Sequence, residues 1–314
     1  MTIFILRRLL TLIPVMLVVG IVAFSIIRFT PGDPALFFVG VDATPEEIQA
    51  VRERLGIDRP FIEQFLTWGA GVLRGDLGTS FYQRRPVIEL FWSRFPPTLW
   101  LAVSAQVLAL VIAVPTGILS AIRPNSIADR MMTVFTLLGV AVPGFWLALL
   151  LVLTFSVNLR WFPVQGYVDP FQDLGDAVRH LVLPVLALGY SQAALIARMT
   201  RASLLDVLSL DYIRTARSKG VQPSVVVLKH ALRNAMNQIV TVAGLTVTSL
   251  ISGSIIIEIV FNYPGLGRLV IDAVTRRDFP VIQGSLMIIA FMYVLVNLLV
   301  DISYSVFDPR IRYG

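Results

Sequence analysis

The sequence predicts an all-α membrane protein with six transmembrane helices. Long charge-free runs, a low charge content and an uneven placement of the remaining charges carry that prediction. Residues 9–27, 95–122, 131–159, 181–197, 234–257 and 279–300 contain no Asp, Glu, Lys, Arg or His. About 20 apolar residues, rising about 1.5 Å each, cross a hydrocarbon core of roughly 30 Å, so each run is long enough and the fourth only just. Charged residues are 15% and hydrophobic residues 56% of the 314-residue chain, whereas a soluble domain carries roughly 25% charged residues.

Charge placement predicts orientation. Residues 1–8, 123–130, 198–233 and 301–314 carry a net +8, and residues 28–94, 160–180 and 258–278 a net −2, which together make the +6 of the chain. Lys and Arg concentrate on the cytoplasmic side, so both termini are expected there. The basic excess then reflects insertion into a lipid bilayer, and no nucleic-acid partner is expected. With no Cys and only His180 and His230, disulfides, thiolate metal sites and a histidine cluster are excluded.

The first helix follows Arg7 and Arg8 and has no small-x-small cleavage site before Thr30, so it reads as a retained signal anchor oriented by the arginine pair. Thr30-Pro31-Gly32-Asp33-Pro34 forces a turn and opens an external segment over residues 28–94. Thr44-Pro45-Glu46-Glu47 combines an N-cap, a proline at the first helical position and a capping-box Glu, so a helix is expected from there to about Leu55, before Gly56. A second stretch, Phe61 to Leu73, puts Phe61, Phe65, Trp68 and Val72 on one face, which is expected to pack within its own domain. Gly75-Asp76-Leu77-Gly78 ends this pair. No internal repeat is visible, so residues 1–314 are expected to form a single transmembrane domain with an external elaboration.

Residues 198–238 form the only sizeable segment on the basic side. They read as a helix over Asp211–Lys219, a turn at Gly220-Val221-Gln222 and a helix from Pro223 to about Ala235, with glycine past one helix end and proline at the next start. Arg198, Arg201, Arg214, Arg217, Lys219, Lys229 and Arg233 act as orienting charges. In the fifth run Gly244, Thr248 and Ser252 recur every four residues, with Ser249 and Gly253 on the neighbouring line. Such a small, polar face serves close helix packing or lines a pathway. Two acids border the spans. Glu258 is expected near the outer interface, facing water, as an ordinary interface or ion-pair position or as a partner for a cationic amino group. Asp301 is expected to pair with a nearby hydroxyl or Arg.

The string from Asp211 to Gly220, Asp-Tyr-Ile-Arg-Thr-Ala-Arg-Ser-Lys-Gly, followed by His230-Ala231-Leu232-Arg233-Asn234, resembles the coupling loop of bacterial ABC importer permeases. That family carries Glu-Ala-Ala, three residues, then Gly. Here Arg214, Thr215 and Ala216 and then Gly220 occupy those positions, and Arg233 stands in place of a proline. Both departures resemble the dipeptide, oligopeptide and nickel branch, with its Tyr-x-Arg-Thr-Ala-Arg-x-Lys-Gly string. The resemblance covers essentially the whole chain, including Pro31-Gly32-Asp33-Pro34, Gly75-Asp76-Leu77-Gly78, Tyr263-Pro264-Gly265-Leu266-Gly267, Arg277-Asp278-Phe279-Pro280 and Asp308-Pro309-Arg310.

This resemblance implies a type I ABC importer permease-like fold in the bacterial inner membrane, forming half of a translocation pathway. It also implies a homologous second permease subunit, two ATP-binding subunits holding ATP and Mg, and an external or periplasmic solute-binding protein, with no cofactor bound by this chain. ATPase coupling then falls to Tyr212, Arg214, Thr215, Ala216, Arg217, Lys219, Gly220 and His230, and the path to Gly244, Thr248, Ser252 and Glu258. Di- or oligopeptides are the expected cargo, with glutathione or nickel as alternatives. His180 and His230 fall on opposite expected sides and lend nickel nothing.

The chain contains no Gly-x-x-x-x-Gly-Lys-Ser/Thr loop to cradle nucleotide phosphates, so energy is expected from another subunit. In that reading the turn around Gly220 is a lever moved by ATPase closure, with Ala216 and Gly220 small enough for close approach. An ion-coupled secondary transporter would call for paired intramembrane carboxylates or matching broken helices in two halves, and neither pattern is clear. A membrane enzyme would need a nucleophile and base, and neither His-Glu-x-x-His nor a serine motif occurs.

Overall fold

The computed structural model describes residues 2–29, 35, 43–55 and 58–307, with side chains at 10–26, 35, 43–53 and 58–300. Thr30–Pro34, Gly56, Asp308–Arg310 and the side chains of Arg7, Arg8 and Asp301 lie outside the described residues. The helices are α1 (Thr2–Phe29), α2 (Pro45–Leu55), α3 (Phe61–Leu73), α4 (Val87–Ile122), α5 (Ile127–Ala141), α6 (Gly144–Asn158), α7 (Leu174–Leu208), α8 (Asp211–Ser218), α9 (Pro223–Val260), α10 (Leu266–Thr275) and α11 (Phe279–Phe307). Among the described residues no strand forms beyond an isolated bridge between Thr79 and Pro86.

Each charge-free run lies in helix. Helices α4, α7, α9 and α11 are each long and apolar enough to cross a membrane, and Leu10–Ile26 is the apolar part of α1. The third run departs from a straight span, because α5 and α6 meet at a bend of 105°. Pro143 explains the break: it lacks an N–H and drives the preceding residue out of the helical region. Val142 accordingly sits extended at φ −85°, ψ 119°, and its N–H closes α5 on the Leu138 carbonyl.

The chain forms two compact units, Met1–Phe95 with Arg268–Leu295, and Pro96–Gly267 with Val296–Gly314. In the first, Phe24 of α1 meets the rings of Phe61, Phe65 and Trp68 at centroid distances of 5.3, 5.5 and 5.4 Å, so the aromatic face of α3 packs on α1. The capping box forms as the sequence predicts: Thr44 N–H donates to Glu47 Oε2 at 2.9 Å and Glu47 N–H to Thr44 Oγ1 at 3.3 Å. Leu77, Val87, Leu90, Leu269, Phe279 and Ile282 form this unit's core. A Cβ at Gly284 would stand 2.7 Å from Val87 Cγ1, so α11 approaches α4 as only a glycine allows.

In the second unit α7 is the central helix, with 61% of its apolar window buried, against 33% for α4 and for α9. It packs on α5, α6 and α9. Its small residues permit this, since a Cβ at Gly139 of α5 would collide with Ala194 and one at Gly189 would stand 3.0 Å from the Ala105 carbonyl. Helices in lipid associate by such close packing, because the lipid supplies no hydrophobic driving force between them.

Candidate functional site

The 211–235 segment folds as an elbow with one buried side and one exposed side. Ile213 is fully buried, and Ala216, Val221 and Val226 pack with it against Leu204, Ala231 and Ala235. Tyr212, Arg214, Thr215, Arg217, Lys219 and Gly220 are exposed. A helix this short gains little from its own hydrogen bonds, so the Ile213 anchor and the end-cap set its placement.

The cap is a Schellman motif. Gly220 N–H donates to the Arg217 carbonyl at 3.0 Å and Val221 N–H to the Ala216 carbonyl at 3.2 Å. Gly220 has φ +74°, the left-handed region that glycine enters without penalty, and a Cβ there would meet nothing within 4 Å. The glycine therefore answers a backbone demand, not crowding inside this chain. Ala216 is half-buried toward the core, so of the two small residues Gly220 alone stands clear. The helix ends at Ser218 with Lys219 as its cap, one residue earlier than the sequence suggests.

Tyr212 and His230 meet across the elbow. Tyr212 Oη donates to the His230 carbonyl at 3.4 Å and accepts from Asn234 Nδ2 at 2.6 Å, while Asn234 also donates to the His230 carbonyl at 3.2 Å. His230 joins the elbow through its backbone oxygen. Helix α9 does not stop near Ala235. It continues to Val260 after a π-helical turn over Val226–Ala231, whose closing bond runs from Leu232 N–H to the Val227 carbonyl.

Beside the elbow's core cluster lies an ion pair missed in the sequence. Asp129, 4% exposed in the first turn of α5, accepts from Arg201 Nε at 2.6 Å and Nη2 at 2.9 Å. Ser120 Oγ and Asn125 N–H complete its partners. Arg201 thus does more than the orienting expected of it, while Arg198 is exposed. Asp129 lies in a segment whose charges read only as topology, and its 72-residue separation from Arg201 left no local signal.

The helix-five stripe divides. Thr248 is buried, donating to the Gly244 carbonyl at 3.3 Å and to Asn297 Oδ1 at 3.5 Å, and a Cβ at Gly244 would collide with Val300. Ser252 is exposed, in line with Leu245, Ser249, Ile256 and Ile259. A four-residue step overshoots one helical turn by about 40°, so Ser252 has drifted about 80° from Gly244. Packing claims the first half of the stripe, and the second half belongs to the free face that the sequence reading missed.

Glu258 does not face water. It is 0% exposed and accepts from Thr98 Oγ1 at 2.6 Å. Thr98 Oγ1 in turn accepts the Leu266 N–H at 2.8 Å, and the Glu258 carbonyl accepts the Tyr263 N–H at 2.7 Å. A Cβ at Gly265 would collide with the carboxylate. The Tyr263-Pro264-Gly265 turn is thus folded over Glu258, a burial that no charge count along the chain reveals.

Two other sequence motifs meet in the first unit. The Asp278 carboxylate, 4% exposed, accepts from Ser80 Oγ at 2.5 Å, Phe81 N–H at 3.0 Å and Tyr82 N–H at 3.4 Å. Gly78, at φ +83°, carries the chain out of the Gly75–Gly78 turn toward this cradle.

The model of the family described as binding-protein-dependent transport system inner membrane component matches residues 113–313, and that of its membrane component N-terminal region matches residues 1–102. A probable peptide ABC transporter permease protein of Sinorhizobium fredii is 44% identical over 313 residues, covering 100% of both chains. The glutathione transport system permease protein of Escherichia coli K12 is 44% identical over 310 residues, covering 99% of both. Among solved structures, the inward-facing methionine ABC transporter MetNI superposes with a TM-score of 0.55 at 19% identity, covering 70% of this chain and 96% of its own. An amino acid ABC transporter crystallised with histidines superposes with a TM-score of 0.50 at 20% identity, covering 71% and 95%. These two likenesses concern the fold.

Proposed function

The chain belongs to the family of binding-protein-dependent transport system inner membrane components, as a multi-pass ABC importer permease, and from that premise we propose that it forms half of a pathway for di- or oligopeptides. The observation that carries the mechanism is the elbow. One side is anchored by Ile213 in the helical core, and the other offers Tyr212, Arg214, Thr215, Arg217, Lys219 and Gly220 to a partner. In this reading two ATP-binding subunits hold ATP and Mg and grip that exposed side in the cytoplasm. A homologous permease completes the pathway, and a solute-binding protein delivers cargo outside. Residues 1–314 act as one permease domain with residues 28–94 external, and both termini are cytoplasmic.

The elbow suits a lever. Movement of α8 is passed to α9 through Tyr212, His230 and Asn234, and to α7 through the two-residue link that joins it to α8. Because α7 is packed along most of its length, its neighbours are carried with it as a body. Ser249 and Ser252, with Leu245, Ile256 and Ile259, are the face α9 turns to the pathway, where hydroxyls and short apolar groups suit a peptide backbone. Gly244 and Thr248 hold α9 to the last helix.

Glutathione is the second reading, favoured by the 44% identity to a glutathione permease, and it is itself a small peptide. The test is uptake of labelled di-, oligo- and glutathione peptides by the complete complex in sealed liposomes. Accumulation that needs both ATP and the binding protein is expected. Accumulation by this chain alone, without nucleotide, would overturn the reading.

A further inference from the structure

The hairpin before α4 is built as a rigid tip. Ser80 N–H donates to the Arg85 carbonyl at 2.9 Å, Arg84 N–H returns to the Ser80 carbonyl at 3.0 Å, and Thr79 pairs with Pro86. Arg84 takes the left-handed backbone, φ +53°. Asp278, just before α11, holds the base through Ser80, Phe81 and Tyr82. The backbone is fixed, yet Tyr82, Gln83, Arg84 and Arg85 are all exposed, Tyr82 by 64%. The Arg276 guanidinium lies over the Tyr82 ring, 3.8 Å from its centroid.

An exposed aromatic ring stacked with arginine on an ordered backbone has the chemistry of a binding hot spot, and it loses little freedom on docking. Its charge selects an acidic partner. Arg85 is already engaged by Glu89 at 3.2 Å, which leaves Arg84 and Arg276 to face outward.

Height separates a protein partner from lipid. The charge-free part of α4 begins at residue 95, after the exposed Trp92, and Val87 starts the helix. At about 1.5 Å per residue the helix start lies about 12 Å along α4 from the first residue of that charge-free run. A headgroup layer is only about 5–8 Å deep.

We infer that Tyr82, Arg84 and Arg276 form a docking face for an acidic patch on the solute-binding protein. The inference rests on the importer reading, which puts such a protein on this side of the membrane.

The complete complex in nanodiscs, titrated with the solute-binding protein that stimulates its ATPase, tests it. Arg84→Glu and Arg276→Glu should raise the half-saturating concentration at least ten-fold at low salt, leave basal hydrolysis unchanged, and flatten the salt dependence. Arg84→Gln, at an exposed side chain, should give a smaller shift in the same direction if a charge reversal prevents assembly. Unchanged half-saturation in variants that assemble overturns the docking face while leaving the importer intact. A shift that follows only the anionic lipid content of the disc assigns the tip to the membrane and overturns it too. A wild-type complex that no binding protein stimulates removes the importer reading, and this inference with it.

Discussion

Thr98 donates its hydroxyl proton to Glu258 at 2.6 Å while accepting the Leu266 amide proton at 2.8 Å, so one small side chain on α4 closes the turn between α9 and α10. Thr98→Val keeps the shape and removes both bonds. Each such bond lost from a buried group costs about 1–3 kcal/mol. The variant should melt at a lower temperature than wild type in detergent, and Thr98→Ser should recover most of the loss.

Arg201→Met should be more damaging than its partial exposure suggests. The Asp129 side chain is only 6% exposed, and removing its bidentate partner leaves a buried carboxylate without its counter-charge. Breaking such a pair from one side costs about 3–5 kcal/mol. Thermal unfolding should show that loss, and Arg201→Lys should restore the charge without the two-point grip and recover only part of it.

Gly220 separates folding from docking. Its φ of +74° makes Gly220→Ala cost about 1 kcal/mol, and Gly220→Asn less, because asparagine tolerates that backbone. A Cβ at this position points into open space, so Gly220→Trp should still insert in the membrane. It should fail to co-purify the ATPase subunits and lose uptake. Full uptake with an intact complex would remove Gly220 from the coupling mechanism.

The two faces of α9 should respond differently to bulk. Gly244→Val meets Val300 and should lower the yield of folded protein, since overpacking a filled contact costs about 1–3 kcal/mol. Ser252→Trp, on the exposed side, should fold with an unchanged melting temperature and depress uptake. Equal loss of folding in both variants would place Ser252 in a packed interface.

Helices whose cues are local were legible in advance. The Thr44 cap, the aromatic face of α3 and the Gly220–Pro223 turn each announce themselves within a dozen residues, because caps, faces and turns are set by neighbours in sequence. The bend at Pro143 was legible in principle, but the run of apolar residues on both sides disguised it as one span. The contacts that decide which side chains are available were not. Asp129 finds Arg201, Thr98 finds Glu258 and Ser80 finds Asp278 across separations of 72, 160 and 198 residues. A hydropathy pattern records how greasy each segment is and says nothing about which segment it meets. That is why Glu258 reads as a water-facing acid, and why Gly244 and Ser252 read as one face when a helix rotates them apart.

The wide turn at Val226–Ala231 sets the gearing between elbow and span. A bond reaching five residues back accommodates about one residue more than an α-helical turn, which advances everything downstream by roughly 100° of azimuth. Shortening the chain there by a single position would leave both helices intact and their hydrophobicity unaltered. The turn would then close as an ordinary α-helical one and the serines of α9 would keep their facing, whereas the same loss further along would swing them by about 100°, so this one wide turn sets which way the helix looks.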